Sequence, residues 1–153
     1  MSGVGGGRAM LGKWLTRFLG RADHDTAFVG RRGEDAAARY VRRRGLRVLD
    51  RNVRLSRGEI DIVCEPDDES ILILVEVKAR AVKDGWDAPF MPAEEAVDRE
   101  KRERLVELAL ELKRRHRRLD RPVRIDVVGV DLFEPGTWKE RVKLRYFEGV
   151  VRF

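Results

Sequence analysis

The stretch GEIDIV at residues 58–63, followed after a short acidic turn by LVEVK at residues 74–78, decides the fold of this chain. Both segments are rich in Ile, Val and Leu, and the polar residues 66–70 between them predict a turn. We therefore expect an antiparallel hairpin with strands over residues 59–64 and 71–77. Charged side chains rarely enter buried strands without a partner, a metal or a reaction, so the chemistry is expected here.

Three charged side chains of this hairpin are expected on one face of the sheet. Side chains alternate along a strand, so Glu76 and Lys78 share a face. If Asp61 lies opposite Leu74 or Glu76, all three charged groups converge, with directly opposed Cβ atoms roughly 5 Å apart. A slip of one residue would separate them.

This combination of side chains indicates phosphodiester chemistry. Asp61 and Glu76 supply hard oxygen ligands for Mg²⁺, which binds through one or two carboxylates, waters and substrate phosphates. The backbone carbonyl of Val77 would add another oxygen. Lys78 would then lower the pKa of an attacking water or compensate negative charge in the transition state. The alternative is a cross-strand salt bridge on a solvated face, without functional meaning.

A helix is predicted over residues 26–44, with Asp25 or Thr26 as its N-cap and Gly45 as its C-terminal stop. Glu34 falls on a stripe of small and apolar residues that would face the sheet. That stripe comprises Gly30, Glu34, Ala37, Ala38 and Val41. Glu34 is therefore expected to point inward, the alternative being a salt bridge in the N-terminal half of the helix.

A second, longer helix is predicted over residues 93–118. Its apolar stripe comprises Val97, Leu105, Leu108, Ala109 and Leu112. Lys101 lies near the middle of this stripe. It either extends to the edge of the helix, as long cationic side chains can, or directs its ammonium toward an anion over the sheet.

The remaining strands are predicted over residues 46–54, 123–132 and 141–147. The resulting order α-β-β-β-α-β-β predicts an α/β fold with a mixed central sheet flanked by helices, in one domain over residues 24–153. Residues 1–23 read as a flexible or amphipathic N-terminal extension that could dock a partner or a membrane surface. No segment approaches the roughly 18 to 20 apolar residues of a transmembrane helix.

The composition favours a nucleic-acid partner. Lys and Arg total 33 against 27 Asp and Glu, for a formal charge of +6. Arg42 and Arg43 suit phosphate contacts, although cations are also favoured at any helix C-terminus. Trp86 could stack on unpaired bases or simply close a core edge. Cys64, the only cysteine, leaves no disulfide and is expected in a reducing, cytoplasmic compartment.

Five ordered motifs resemble those of the uncharacterised bacterial YraN-like family, which in turn resembles the PD-(D/E)xK nucleases, especially the archaeal Holliday-junction resolvases. They are GE at 33–34, RN at 51–52, GEIDIV at 58–63, VEVKAR at 75–80 and RIDVV at 124–128. The resemblance implies a restriction-endonuclease-like fold. It also implies that Glu34 is a helix carboxylate of the site, Asp61 and Glu76 are metal-binding acids and Lys78 is the catalytic lysine.

By the same resemblance, the expected function is a metal-dependent endonuclease, using Mg²⁺ or Mn²⁺, that acts on branched or structured DNA in repair or recombination. Expected nucleic-acid contacts are Arg42, Arg43, Arg80, Lys101 and Trp86. Symmetric cutting of a branch needs two active sites, which predicts a homodimer. Two alternatives stay open: a catalytically silent nucleic-acid-binding module of the same fold, and an adaptor that docks a partner through its N-terminal helix.

Overall fold

The structure, a computed structural model, describes residues 25–83, 99–115 and 120–152. Two helices are α1 (Thr26–Arg43) and α2 (Arg99–Arg115). Five strands are β1 (Leu46–Leu55), β2 (Gly58–Pro66), β3 (Leu72–Val82), β4 (Val123–Phe133) and β5 (Arg141–Arg152). The strands form one sheet in the order of the chain, in which β3 and β4 are parallel and the other neighbours antiparallel.

This architecture confirms the predicted order α-β-β-β-α-β-β and the restriction-endonuclease-like mixed sheet. Neither of the two described helices is long and apolar enough to cross a membrane. The predicted N-terminal extension at residues 1–23 lies outside the described residues, as do residues 93–98 and 116–118 of the predicted second helix.

Helix α1 begins and ends where its sequence predicts. The Asp25 carboxylate is the N-cap and accepts a hydrogen bond of 3.0 Å from the backbone N–H of Ala27. This bond satisfies one of the donors that the first helical turn leaves unpaired. At the other end, Gly45 adopts a φ of 80°, the left-handed conformation that ends many helices and that glycine adopts without steric cost.

The helices cover opposite faces of the sheet. The core on the α1 face includes Val41, Ile62, Ile73, Val75 and Val128. The core on the α2 face includes Val63, Leu74, Leu108, Leu112 and Ile125. Adjacent strand residues therefore fall into different cores, as the alternation of side chains requires.

Strand β3 is paired unequally with its two neighbours. Its ladder with β4 runs without interruption from Leu72–Val123 to Val82–Phe133. Its ladder with β2 holds only three pairs and ends at Ile62–Val75. Beyond that pair lies an interruption between two central strands, which we call the fork. Asp61 on β2 and Glu76 on β3 are the first residues beyond this last pair.

Buried polar groups fix the edge of the sheet formed by β4 and β5. Asp126 is fully buried and accepts hydrogen bonds from the Arg124 side chain at 2.9 Å, the backbone N–H of Gly149 at 2.7 Å and the hydroxyl of Tyr146. These bonds stabilise the register shift between Ile125 and Val127. Burial, with the neighbouring Asp126 carboxylate, raises the pKa of the Tyr146 hydroxyl above its usual value.

The single cysteine lies in the core on the α1 face. Cys64 has no accessible surface, and burial raises the pKa of its thiol to about 12. The thiol is therefore protonated at every physiological pH. It behaves as a small apolar side chain, as its position in β2 predicts.

A glycine sets how closely α1 approaches the sheet. A Cβ atom placed on Gly33 would overlap the Cβ of Ala79 on β3 and would lie 3.8 Å from Val130 on β4. The stripe predicted from sequence places Gly30, not Gly33, against the sheet, but a Cβ on Gly30 meets nothing within 4 Å. The close contact thus lies one helical turn further along α1, immediately before Glu34.

These two glycines provide a matched test of the helix packing. We expect Gly33→Ala to destabilise the protein by about 1–3 kcal/mol, because the new methyl group forces α1 away from β3. Gly30→Ala is expected to stabilise it by about 0.5–1 kcal/mol through helix propensity. Urea denaturation of both variants measures the difference. Equal effects of the two substitutions would contradict the assigned contact.

Candidate active site

The two predicted metal-binding acids meet where the β2–β3 ladder ends. The Asp61 carboxylate accepts a hydrogen bond of 2.7 Å from the backbone N–H of Val77, the residue after Glu76. A side-chain oxygen of β2 thus bonds the backbone of β3 beyond the last ladder pair. The geometric expectation that Asp61, Glu76 and Lys78 converge is confirmed, while their catalytic roles stay predictions.

Two ammonium groups converge on Glu76. The Nζ atoms of Lys78 and Lys101 each lie 2.8 Å from Oε1 of Glu76. The Glu76 side chain is 15% exposed and that of Lys101 is 14% exposed. Lys101 therefore does not extend to the helix edge but points from α2 to the sheet. The Lys78 side chain, at 31% exposed, is the part of the cluster most open to solvent.

The charge state of Glu76 follows from these contacts. Burial alone would favour the neutral acid, but the charges of Lys78 and Lys101 outweigh it and lower the pKa of Glu76 to about 2. Burial likewise opposes the charge on Lys78, yet the adjacent Glu76 carboxylate raises the pKa of this lysine above its usual value. Glu76 and Lys78 are accordingly both ionised at neutral pH.

The second lysine is less firmly charged. Burial lowers the pKa of Lys101 to about 8, with the neighbouring Lys78 ammonium adding to the effect and Glu76 opposing it. Both ammonium groups contact the same carboxylate oxygen. Removing either lysine would leave the other as the sole cation at Glu76 Oε1.

Asp61 differs from Glu76 in its surroundings. Burial, followed by the charge of Glu76, raises its pKa to about 7, although the N–H of Val77 favours the ionised form. The charge of Glu34 contributes to the same increase. Near neutral pH this carboxyl group is therefore partly protonated. Positive charge added nearby would favour its ionised form.

Among the described residues, Glu34 takes no part in the contacts that link Asp61, Val77, Glu76 and the two lysines; its own contact is with Arg51. Its carboxylate lies 4.0 Å from the guanidinium of Arg51, which makes a closer contact of 2.8 Å with Asp35. Helix α1 packs on the face opposite Lys101, so Glu34 comes from the other side of the sheet. The charge of Glu34 contributes to the raised pKa of Asp61, after burial and the charge of Glu76.

Of the expected nucleic-acid contacts, one is corrected by the structure. Arg80 is only 4% exposed, and its guanidinium donates to Asp131 on β4 at 2.6 Å. It is a buried structural cation rather than a surface phosphate contact. Arg42 and Arg43 are exposed in the last turn of α1, whereas Trp86 lies outside the described residues.

The donor set is suited to a metal that takes few protein ligands. Within the described ranges, no three side chains of His, Cys, Asp or Glu are grouped closely enough to hold a metal. The site offers Asp61 and Glu76, which are close enough for the charge of one to raise the pKa of the other. Mg²⁺ typically binds through one or two carboxylates and completes its coordination with other oxygens, such as a backbone carbonyl, waters and substrate phosphate.

Sequence reasoning missed two side chains on β4 and in the turn that follows it. Asp131 binds both Arg80 and, at 2.8 Å, the guanidinium of Arg145 on β5. Trp138, in the turn between β4 and β5, is 91% exposed. The alternation along β4 could have flagged Asp131 as an acid in a buried strand. Trp138 occupies an aperiodic stretch and gave no such signal.

The interrupted central sheet, with two acids and a lysine at the interruption, defines a protein of the PD-(D/E)xK nuclease-like class. The profile of Uncharacterised protein family UPF0102 matches residues 33–130, and the chain belongs to this family. This confirms the YraN-like resemblance of the sequence motifs.

Two relatives support the family assignment. A UPF0102 protein of Coxiella burnetii (strain RSA 331 / Henzerling II) is 32% identical over 123 residues, covering 79% of this chain and 97% of that protein. One from Geobacter sulfurreducens is 36% identical over 117 residues, covering 76% and 86%. The solved structure of Pyrococcus furiosus SfsA in complex with Ca²⁺ is similar with a TM-score of 0.32 and 15% identity, over 81% of this chain and 64% of that one.

The raised pKa of Asp61 predicts a pH-dependent stability in metal-free buffer. The carboxyl group titrates near 3.8 when unperturbed and near 7 in the fold. Between these values the folded chain holds a proton that the unfolded chain has lost, so stability falls as pH rises toward 7. We expect Asp61→Asn to remove this loss and to be more stable than the parent by about 2 kcal/mol at pH 8.

Urea denaturation in EDTA at pH 5, 6, 7 and 8 measures this difference. The range begins at pH 5 because the stabilising contribution of Glu76, whose pKa is lowered, is constant above its unperturbed value of 4.5 and changes with pH only below it. Asp67→Asn, in the exposed turn between β2 and β3, is the matched control and should show no pH-dependent gain. A difference between Asp61→Asn and the parent that is constant with pH would contradict the prediction.

Proposed function

We propose that this protein is a metal-dependent endonuclease that hydrolyses phosphodiester bonds in branched or structured DNA. One observation carries the proposal: Asp61, Glu76, Lys78 and Lys101 meet at the fork, where pairing between two central strands ends. Buried carboxylates and ammonium groups are costly unless they are paired or serve a reaction. Membership of a nuclease-like family favours the explanation that these groups serve a reaction.

The residues that would hold Mg²⁺ or Mn²⁺ are Asp61, Glu76 and the backbone carbonyl of Val77. The N–H of Val77 points to Asp61, and in a β-strand the C=O of a residue points to the same edge as its N–H. A bound divalent ion supplies Lewis-acid charge for the phosphate and for an attacking water. It would also relieve the repulsion between the two carboxylates that raises the pKa of Asp61.

The lysines have electrostatic roles in this proposal. Lys78 holds its proton firmly because of Glu76, so it suits stabilisation of negative charge on phosphorus better than proton abstraction. Lys101 reaches the same Glu76 oxygen from α2 and positions that carboxylate. Glu34, on helix α1 next to the Gly33 contact with β3, would orient water or a substrate group from the α1 side.

A second candidate function rests on a specific observation. Without any metal, the two ammonium groups already neutralise Glu76. A charge-balanced site of this kind is also compatible with a nucleic-acid-binding module of the same fold that has lost catalysis. For the endonuclease, paired incisions at a branch need two copies of the chain, so a homodimer on DNA belongs to the proposal. Exposed Arg42 and Arg43 would contact phosphates in either case.

A cleavage panel tests the proposal directly. The substrates are linear, flapped and four-way DNA, with matched RNA, in Mg²⁺, Mn²⁺ or EDTA. The parent should cleave flapped or four-way DNA only with metal. Asp61→Asn removes one ligand at nearly constant volume and should lower cleavage by a factor on the order of a hundred or more. Lys78→Ala should lose cleavage similarly, because it removes the firmly protonated cation.

Binding in EDTA separates the candidates. Asp61→Asn should bind DNA at least as tightly as the parent, since it removes negative charge from the phosphate site, whereas Lys78→Ala should not gain affinity. Asp67→Asn should match the parent in both assays. A parent that binds DNA but cuts nothing with either metal would support the binding module. Absence of nucleic-acid binding would support the adaptor.

Lys101 offers a narrower test of the site. Lys101→Met keeps the length and apolar stem of the side chain but removes its contact with Glu76. We expect folding to survive and the cleavage rate to fall at least about tenfold, since Glu76 loses one of two cations that position it. Lys101→Arg, which retains the charge, should recover part of the rate. Unchanged cleavage by Lys101→Met would exclude a positioning role.

A further inference from the structure

The turn between β4 and β5 presents an aromatic ring to solvent. Trp138 in residues 134–140, called here the Trp138 turn, is 91% exposed. A nearly fully exposed tryptophan gains nothing from burial in the fold, and aromatic rings of this kind are enriched where partners bind. The ring therefore requires an explanation outside the core.

The Trp138 turn is firmly held despite its exposure. The Glu140 carboxylate accepts two hydrogen bonds from the Arg32 guanidinium on α1 and one of 2.7 Å from the backbone N–H of Gly136. The Thr137 hydroxyl donates to the carbonyl of Glu134 at 2.9 Å. Gly136, at a φ of 79°, leaves room for the ring of Phe28. The backbone that carries the exposed ring is thus held in place, which lowers the entropic cost of ordering the turn when a partner binds.

The same bonds connect the turn to the candidate active site. Arg32 lies two residues before Glu34 on α1, and Gly33 between them contacts Ala79 on β3. Strand β4 leads from Gly129, the partner of Lys78, to Phe133 at the start of the turn. The position of Trp138 relative to the fork is therefore set by one helix and one strand pair. The turn is a fixed part of the same end of the sheet.

The surroundings of the ring favour an anion-bearing partner. The Lys139 ammonium lies 5.1 Å from the centre of the Trp138 ring. Arg141 lines the same open groove of about 640 Å³, together with Glu134 and Glu140. The charge of Glu140 is compensated by Arg32. An aromatic face bordered by cations is the arrangement with which proteins stack bases and bind phosphates of single-stranded nucleic acid.

We propose that Trp138 stacks on an unpaired base of the nucleic-acid substrate, with Lys139 beside the phosphate of that nucleotide. This inference rests on the proposed function, because it names the feature of the substrate that the protein recognises next to the fork. The selected substrate then carries a single-stranded segment, such as a flap, beside the duplex that is cut. Stacking supplies affinity without reading a particular base, since every base has a π-face.

The length of the single strand follows from the fold. Four residues of β4 separate Gly129 from Phe133, about 13 Å at a rise of roughly 3.3 Å per residue. A strand that stays stacked, with a rise of about 3.4 Å per nucleotide, covers this distance with about four nucleotides. A flap of two nucleotides should therefore not reach the ring, whereas one of eight should.

The test measures binding to labelled DNA by fluorescence anisotropy in EDTA, where cleavage is suppressed. The probes are a blunt duplex and the same duplex with thymidine flaps of two or eight nucleotides. Trp138→Ala should weaken binding of the eight-nucleotide flap about tenfold and leave the other two probes unchanged. Trp138→Phe should retain most of the affinity. Leu49→Ala, at another exposed apolar residue with 41% exposure, is the matched control and should bind as the parent does.

Each outcome separates this inference from the proposed function. Equal binding of all three probes by Trp138→Ala and the parent overturns the stacking inference, and equal weakening of all three also overturns it, whatever the parent cleaves. A loss confined to the long flap supports the inference even if the parent cuts nothing, in which case only the endonuclease proposal falls. A parent that binds none of the probes overturns the inference too. Circular dichroism should show intact folding of the variants, because the substituted ring contributes little to the core.

Discussion

The unequal pairing of β3 is the constraint on which the site depends. This strand is bonded to β4 along its full length but to β2 over three residues only. Where the second ladder stops, the backbone of β3 still needs acceptors, and the Asp61 side chain provides one to Val77. A carboxylate is thereby held at the opening of the sheet, within reach of groups from both faces. A continuous ladder would offer a backbone carbonyl of β2 to that N–H instead, and the Asp61 carboxylate would not be needed as its acceptor.

Charge balance then explains why the two acids behave differently. Glu76 receives two ammonium groups on one oxygen and stays ionised, whereas Asp61 receives a single backbone N–H and carries a raised pKa. Each ion therefore depends on its neighbours, because a buried charge without a partner is strongly unfavourable. The site consists of coupled groups supplied by β2, β3 and α2. A change at one of them alters the ionisation of the rest.

Much of this arrangement could be predicted from local patterns. The caps of α1, the hairpin of β2 and β3, and the shared face of Glu76 and Lys78 each follow from a few neighbouring residues. The inward direction of Lys101 was one of two open alternatives, decided by a carboxylate 25 residues away in the chain. The sequence alone predicts a surface position for Arg80. Its partner Asp131 lies on β4, and the parallel register of β3 and β4 that brings the two together cannot be read from sequence. Both predictions depend on pairing between residues far apart in the chain, which local patterns do not reveal. The contacts that position the Trp138 turn are of the same long-range kind.

The core position of Cys64 has a practical consequence for spectroscopy. Its thiol is inaccessible and remains protonated at neutral pH, so it reacts slowly with maleimides and other thiol-directed reagents. Because it is the only cysteine of the chain, one added surface cysteine would carry a fluorophore or spin label at a unique position. Two added surface cysteines, one on each side of the opening of the sheet, would carry a label pair whose distance could be followed in solution without removing the native thiol.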